Sequence, residues 1–183
     1  MQIICGPNWD RRVVNIDHKE DAGILMSGGI DSWVLYNLIQ GPVKIFNYKR
    51  HNGIDSIHQV ELLTGRRDII EIIQDKPNKK FIDYAADYIK EYCSSLYIGI
   101  NHIPPIDIFP EFADDYPIRP WRSLDSNLLM PFLHVQKYHI IDIARQKKID
   151  LSLTQSCLVN ANGHCGKCWQ CLERKWGFDQ LDD

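Results

Sequence analysis

The stretch Ser27-Gly28-Gly29-Ile30-Asp31-Ser32 constrains this chain more than any other. It follows the apolar run Ile24-Leu25-Met26 and precedes a helical pattern from Trp33 to Gln40. That order predicts a buried strand, a tight glycine turn and a helix N-terminus. Paired glycines let the backbone approach an anion closely, and the N–H groups of the first helical turn point at it. Ser27 and Ser32 supply hydroxyl donors, and Asp31 can cap the helix or hold a metal ion. An ordinary strand-to-helix turn uses the same residue types. Six of them in this order, between a strand and a helix, instead favour a phosphate chain as occupant.

The rest of the chain bounds what surrounds that loop. Its 183 residues suffice for one domain with a proper core around a sheet. A formal net charge of −3 provides no global basic field for nucleic acid. No apolar run approaches the roughly 20 residues of a membrane span. The first residues, MQIICGPNWDRR, lack the basic flank and long apolar core of a signal peptide. The expectation is a cytoplasmic protein with reduced thiols.

Strand and helix signals alternate through the first half. Met1 to Cys5 and Val13 to Ile16 read as a hairpin around Gly6-Pro7-Asn8, an extension over residues 1–20. Ile24 to Met26 is the first core strand, Val43 to Tyr48 the second, Asp68 to Ile73 the third and Leu96 to Asn101 the fourth. Helical patterns lie between them: one ends at Gly41-Pro42, one runs from Asp55 to Gly65, and one opens at Pro77-Asn78 and carries Phe81, Ile82, Ala85, Tyr88, Ile89 and Tyr92. Such alternation predicts an α/β fold with a parallel sheet, whose ligands bind beyond the carboxyl ends of the strands. Ser27 to Ser32, Asn47 to His51 and Asn101-His102 fall there, with adenine expected near the end of the second strand.

Residues 102–127 break the pattern with Pro104, Pro105, Pro110, Pro117 and Pro120. A loop of that length is expected to fold over a substrate. Arg119, Arg122, Asp107, Glu111, Asp114 and Asp115 are its candidate substrate contacts, though most such charges are expected to be solvated surface. Met130-Pro131-Phe132-Leu133 then precedes a helix from Lys137 to Lys148. A lysine at a helix start opposes the helix dipole, so Lys137 is read either as a partner of phosphate or as a solvated surface group.

Cys157, Cys165, Cys168 and Cys171 form the pattern C-x7-C-x2-C-x2-C. In a reducing compartment they are metal ligands rather than disulfides. Four thiolates with no open position describe a structural tetrahedral zinc site, and an iron–sulfur cluster accepts the same set. His164 is expected outside the ligand set. Cys5 and Cys93 read as ordinary buried thiols.

The loop resembles the SGGxDS signature of the PP-loop ATP pyrophosphatases, and lacks the Gly-Lys-Ser/Thr ending of a Walker A loop. The run Thr154-Gln155-Ser156-Cys157, then His164-Cys165-Gly166-Lys167-Cys168-Trp169-Gln170-Cys171-Leu172-Glu173-Arg174, is similar to the zinc motif of the 7-cyano-7-deazaguanine synthase family. Tyr48-Lys49-Arg50-His51 and Pro131 to Ala144 also resemble that family. The likeness spans two blocks, 24–51 and 128–176. The family's Pro-Gly-Arg-Asn segment has no counterpart here.

The resemblance implies a single Rossmann-like PP-loop (adenine nucleotide alpha hydrolase) domain over 1–183, with a four-cysteine zinc motif at 152–176. It also implies an ATP-dependent carbon–nitrogen ligase that makes 7-cyano-7-deazaguanine, or its amide, from 7-carboxy-7-deazaguanine and ammonia. Ser27, Gly28, Gly29, Ile30, Asp31 and Ser32 would bind ATP. Asp31 would position the loop or magnesium, and Lys137 would stabilise charge at the α phosphate. The resembled family forms homodimers. Two alternatives stay open: a PP-loop tRNA sulfur transferase that adenylates a base, and a non-catalytic ATP-binding module.

Overall fold

The computed structural model describes residues 1–49, 56–73, 90–105, 107–110, 127–157, 159–160 and 163–182. Arg50, His51, Asp55, Glu111, Asp114, Asp115, Arg119, Arg122 and most of the helix expected over 77–92 lie outside them; residues 90–92 are helical.

Two strands, β1 (Gln2–Cys5) and β2 (Arg12–Asn15), pair antiparallel as the expected hairpin. The main sheet follows: β3 (Ala22–Met26), α1 (Ile30–Leu38), β4 (Val43–Lys49), α2 (Ile57–Thr64), β5 (Ile69–Ile73), β6 (Ser95–Ile98) and β7 (Leu128–Leu129). Helices α3 (Lys137–Lys147) and α4 (Trp169–Asp179) complete the described elements. The five strands run β5-β4-β3-β6-β7, and every adjacent pair is parallel. This is the α/β parallel-sheet architecture the alternating signals predicted.

The strand order reverses direction between β3 and β6, because β4 and β5 build outward on one side and β6 and β7 on the other. A ligand crevice opens beyond the carboxyl ends of the strands at such a switch point. The glycine loop leaves β3 there, and Asn101 follows β6 at the same edge.

The pleat sends alternate side chains of β3 to opposite faces. Ile24 and Met26 join one apolar cluster with Val34, Leu35, Ile140 and Ile141. Leu25 joins Phe46, Ile72, Leu96 and Ile98 on the other face. Gly23 makes room there, since a Cβ at that position would stand 2.3 Å from the Phe46 ring. Cys5 and Cys93 are buried in these clusters, as expected of ordinary thiols.

Several boundaries differ from expectation. Helix α1 starts at Ile30 rather than Trp33, so Ile30, Asp31 and Ser32 are its first turn and Gly29 is its N-cap. Strand β6 stops at Ile98, three residues earlier than the pattern suggested. The next residue, Gly99, packs closely on α1: a Cβ there would lie 2.8 Å from the backbone of Asp31 and Ser32. The two-residue β7 and the helix α4 gave no periodic signal strong enough to be read.

The hairpin is fastened to α3 by polar contacts. Gly6 N–H donates to the Asp142 carboxylate at 2.7 Å, and the Tyr138 hydroxyl donates to Asp10 at 2.5 Å. His139 is 1% exposed. Its Nδ1 accepts from Gln136 N–H at 3.1 Å, so Nε2 carries the proton and donates to the Asp10 carbonyl at 2.9 Å. Burial holds the His139 pKa below its ordinary 6.5, against the opposing pull of Asp10. The folded protein therefore keeps this ring neutral, while the unfolded chain protonates it below about pH 6.5. Stability contributed by His139 is present above that pH and is lost as pH falls below it, by at most about 1.4 kcal/mol per pH unit. Thermal denaturation between pH 7.5 and 5.5 checks this: Tm falls in the wild type, and falls less in His139→Gln.

Candidate active site and metal centre

The loop between β3 and α1 has its backbone set by hydroxyls. Ser32, 4% exposed, places its Oγ 3.2 Å from Ser27 N, from Ser27 Oγ and from the Gly29 carbonyl. Gly28 has φ +78, a left-handed conformation that a side chain would strain. A Cβ there would also meet Gln59 of α2 at 2.6 Å. The N–H groups of the first turn of α1 have no intrahelical acceptor, which makes this end of the helix receptive to anions.

Lys137, the first residue of α3, reaches the same turn. Its Nζ lies 2.6 Å from Asp31 Oδ1 and 2.5 Å from Oδ2. The lysine is 5% exposed, so the surface-lysine alternative does not hold. Glu173 of α4 approaches the same ammonium at 3.4 Å, and its other oxygen accepts from Asn101 Nδ2 at 2.9 Å. Glu173 and Asn101 are 4% and 1% exposed. The sequence placed Asn101 at the same sheet edge as the loop but gave no sign of its bond to Glu173, because their meeting is a product of topology. The Glu-Arg pair after the last cysteine was the available signal.

Asn47, at the carboxyl end of β4, donates to the Met26 carbonyl and to Ser56 Oγ, each at 2.8 Å. Its buried Oδ1 has no partner among the described residues.

The four cysteines converge as their spacing predicted. The Sγ atoms of Cys157, Cys165, Cys168 and Cys171 all lie within 4.8 Å of one another. Backbone N–H groups of Val159 and Asn160 donate to the Cys157 sulfur at 3.4 and 3.2 Å. Those of Lys167 and Cys168 donate to Cys165 at 3.5 and 3.3 Å. Burial opposes ionisation of Cys157, but the N–H donors, with that of Cys165, outweigh it and bring the thiol down to about 6. The donors from Lys167 and Cys168 likewise lower Cys165. Burial pushes Cys171 up to about 12, with the neighbouring sulfurs adding to the rise. Two sulfurs favoured as thiolates beside one that is not are a donor set that a cation completes, since its charge deprotonates the rest. The residues fit a thiolate-bound metal. His164 is exposed, with Nδ1 3.9 Å from Cys171 Sγ.

Metal motif and loop are packed together. Gln155, two residues before Cys157, donates its N–H to the Gly28 carbonyl at 2.8 Å. Arg174 donates to Thr154 Oγ1 at 2.7 Å and to the Leu151 carbonyl at 3.2 Å. The segment bearing the first cysteine thus lies between the glycine loop and α4.

The family model of "Queuosine biosynthesis protein QueC" matches residues 52–182. The chain belongs to that family. The matched residues include Lys137, the four cysteines and Glu173, while the glycine loop precedes them. Among curated relatives, the 7-cyano-7-deazaguanine synthase of Methanothrix thermoacetophila is 30% identical over 111 residues, covering 55% of this chain and 49% of that protein. The Campylobacter jejuni synthase is 25% identical over 100 residues, covering 50% and 44%. That of Brucella ovis is 30% identical over 84 residues, covering 44% and 36%. The chain therefore matches about half or less of each of these QueC relatives. Among solved structures, Candida glabrata FMN adenylyltransferase aligns with a TM-score of 0.41 and 18% identity, over 67% of this chain and 45% of that one. That likeness is too slight to bear on function. No helix among the described residues is long and apolar enough to cross a membrane.

The metal reading gives a direct expectation. The purified protein carries one thiolate-bound ion per chain, measurable by elemental analysis. Cys168→Ser loses the ion and lowers Tm; Cys93→Ser retains the ion, and its Tm falls less.

Proposed function

We propose that residues 1–183 form one ATP-pyrophosphatase domain that activates a carboxylate by adenylation, on the way to 7-cyano-7-deazaguanine or its amide. The observation that carries this reading is the Ser27 to Ser32 loop at the sheet's switch point with buried Lys137 against it. Membership of the QueC family supports the substrate class.

In this reading Ser27, Gly28, Gly29, Ile30 and Ser32 cradle the β and γ phosphates through backbone N–H groups and hydroxyls. The adenine lies beyond the end of β4. Asp31 would position the loop or hold magnesium, which when bound would neutralise charge on the triphosphate. Lys137 stabilises the charge that develops at the α phosphate.

The substrate carboxylate attacks the α phosphorus, an acyl-adenylate forms, and pyrophosphate leaves. Ammonia adds to the activated carbonyl, loses a proton and expels AMP, giving the amide. A second adenylation, on the amide oxygen, allows loss of AMP and a proton to leave the nitrile. The enzyme's contribution is alignment of nucleophile, phosphorus and leaving group.

The cysteine centre is structural and holds zinc in this reading, because four thiolates leave no open position for substrate. The protein is a cytoplasmic enzyme of small molecules, acts as a homodimer, and needs no nucleic acid or membrane.

ATP cleavage tests the assignment. In the presence of 7-carboxy-7-deazaguanine and ammonium the wild type releases AMP and pyrophosphate. Asp31→Asn lowers that rate by at least about 100-fold, the scale of losing one aimed charge-stabilising group. Release of ADP instead of AMP, or a rate indifferent to the deazapurine acid, overturns the reading.

A further inference from the structure

Lys137 is gripped by α4 at two points. At its tip the ammonium lies 3.4 Å from Glu173. Along its stem, a Cβ on Gly177 would stand 2.6 Å from Lys137 Cγ and 2.9 Å from its Cβ. Gly177 is one turn beyond Glu173 on the same helix face, so the bare backbone there is what admits the lysine.

The two carboxylates around the ammonium are not equivalent. The side chain of Asp31 is 20% exposed and belongs to the loop that would meet a ligand. The side chain of Glu173 is 5% exposed and is fixed from behind by Asn101 Nδ2 at 2.9 Å. An incoming nucleotide with its cation meets Asp31 more readily than Glu173, the more buried of the two. When Asp31 turns to that cation, a buried ammonium without another anion would be strongly disfavoured.

We propose that Glu173 is a positioning residue: it retains the Lys137 ammonium beside the nucleotide's phosphates once Asp31 is engaged elsewhere. The inference rests on the ATP reading above and adds a residue of the metal-bearing helix to the reacting site. Asn101 sets the orientation of Glu173. Arg174, next along α4, donates to Thr154 and Leu151 and lies within electrostatic reach of Asp31.

Glu173→Gln keeps the shape of the side chain and its contact to Asn101 while removing the charge. The expected result is unchanged metal content, a Tm lowered by the loss of the buried charge, KM for ATP within about threefold in the folded protein, and kcat for AMP release lowered at least about tenfold. Added to Lys137→Met, the same change produces no further loss, because Glu173 acts through Lys137. Glu173→Asp keeps the charge but withdraws it by one methylene; it folds where Gln does not, and shows a smaller loss in kcat with KM retained.

Wild-type kcat in Glu173→Gln, or in Glu173→Asp where Gln does not fold, overturns the proposal. So does a loss that multiplies with that of Lys137→Met. A wild-type protein that neither binds the non-hydrolysable analogue AMPCPP nor releases AMP overturns the ATP reading itself, and this inference with it.

Discussion

A buried ammonium dictates how the functional end of this molecule is assembled. Lys137 is 5% exposed, and a charge in that position needs opposite charge at contact distance. Asp31 and Glu173 provide it, from sequence separations of 106 and 36 residues. Removing one partner of such a group typically costs about 3–5 kcal/mol, whereas replacing the whole cluster with apolar groups can be neutral. The cluster therefore adds little to stability as a unit but strongly penalises misassembly. The first turn of α1, the start of α3 and the middle of α4 must meet together.

The cysteine motif adds a second closure around the same place. It ties the segment before Cys157 to the start of α4, and Gln155 in that segment is bonded to Gly28 of the glycine loop. Arg174 fastens the segment again from the far side through Thr154 and Leu151. A metal here would act at a distance on the loop by fixing the angle at which α4 arrives.

Local chemistry was legible in the sequence, and long-range meetings were not. Ser27 to Ser32 could be read because a glycine turn between a strand and a helix uses adjacent residues whose types are themselves the signal. The four cysteines could be read for the same reason. Of Glu173 and Asn101, only the place of Asn101 at the ligand-facing edge was legible, and their meeting was not. They matter only because the order β4-β3-β6 brings the end of β6 beside the first turn of α1. Gly99 and Gly177 were invisible for a related reason: a glycine that permits close approach is defined by what approaches it. Helix α4 was hidden behind its cysteine spacing, where metal ligation and helical periodicity coincide. Lys137 was legible as an anomaly at a helix start, but its partners proved to be carboxylates of the protein itself.

That last point bears on what the site can accept. Asp31 and Glu173 place two carboxylates on one ammonium, and the Arg174 guanidinium lies within electrostatic reach of Asp31. The helix terminus adds roughly half a positive elementary charge and directional N–H donors. On the ATP reading, the partly exposed Asp31 is the accessible ligand for a nucleotide's divalent cation and the buried Glu173 is not. A carboxylate that can exchange partners and one that cannot are thus placed on either side of the same lysine. Binding then needs no conversion of a buried charge pair into an unpaired one. On the ATP reading, it would require only that Asp31 trade one cation for another while Lys137 keeps Glu173.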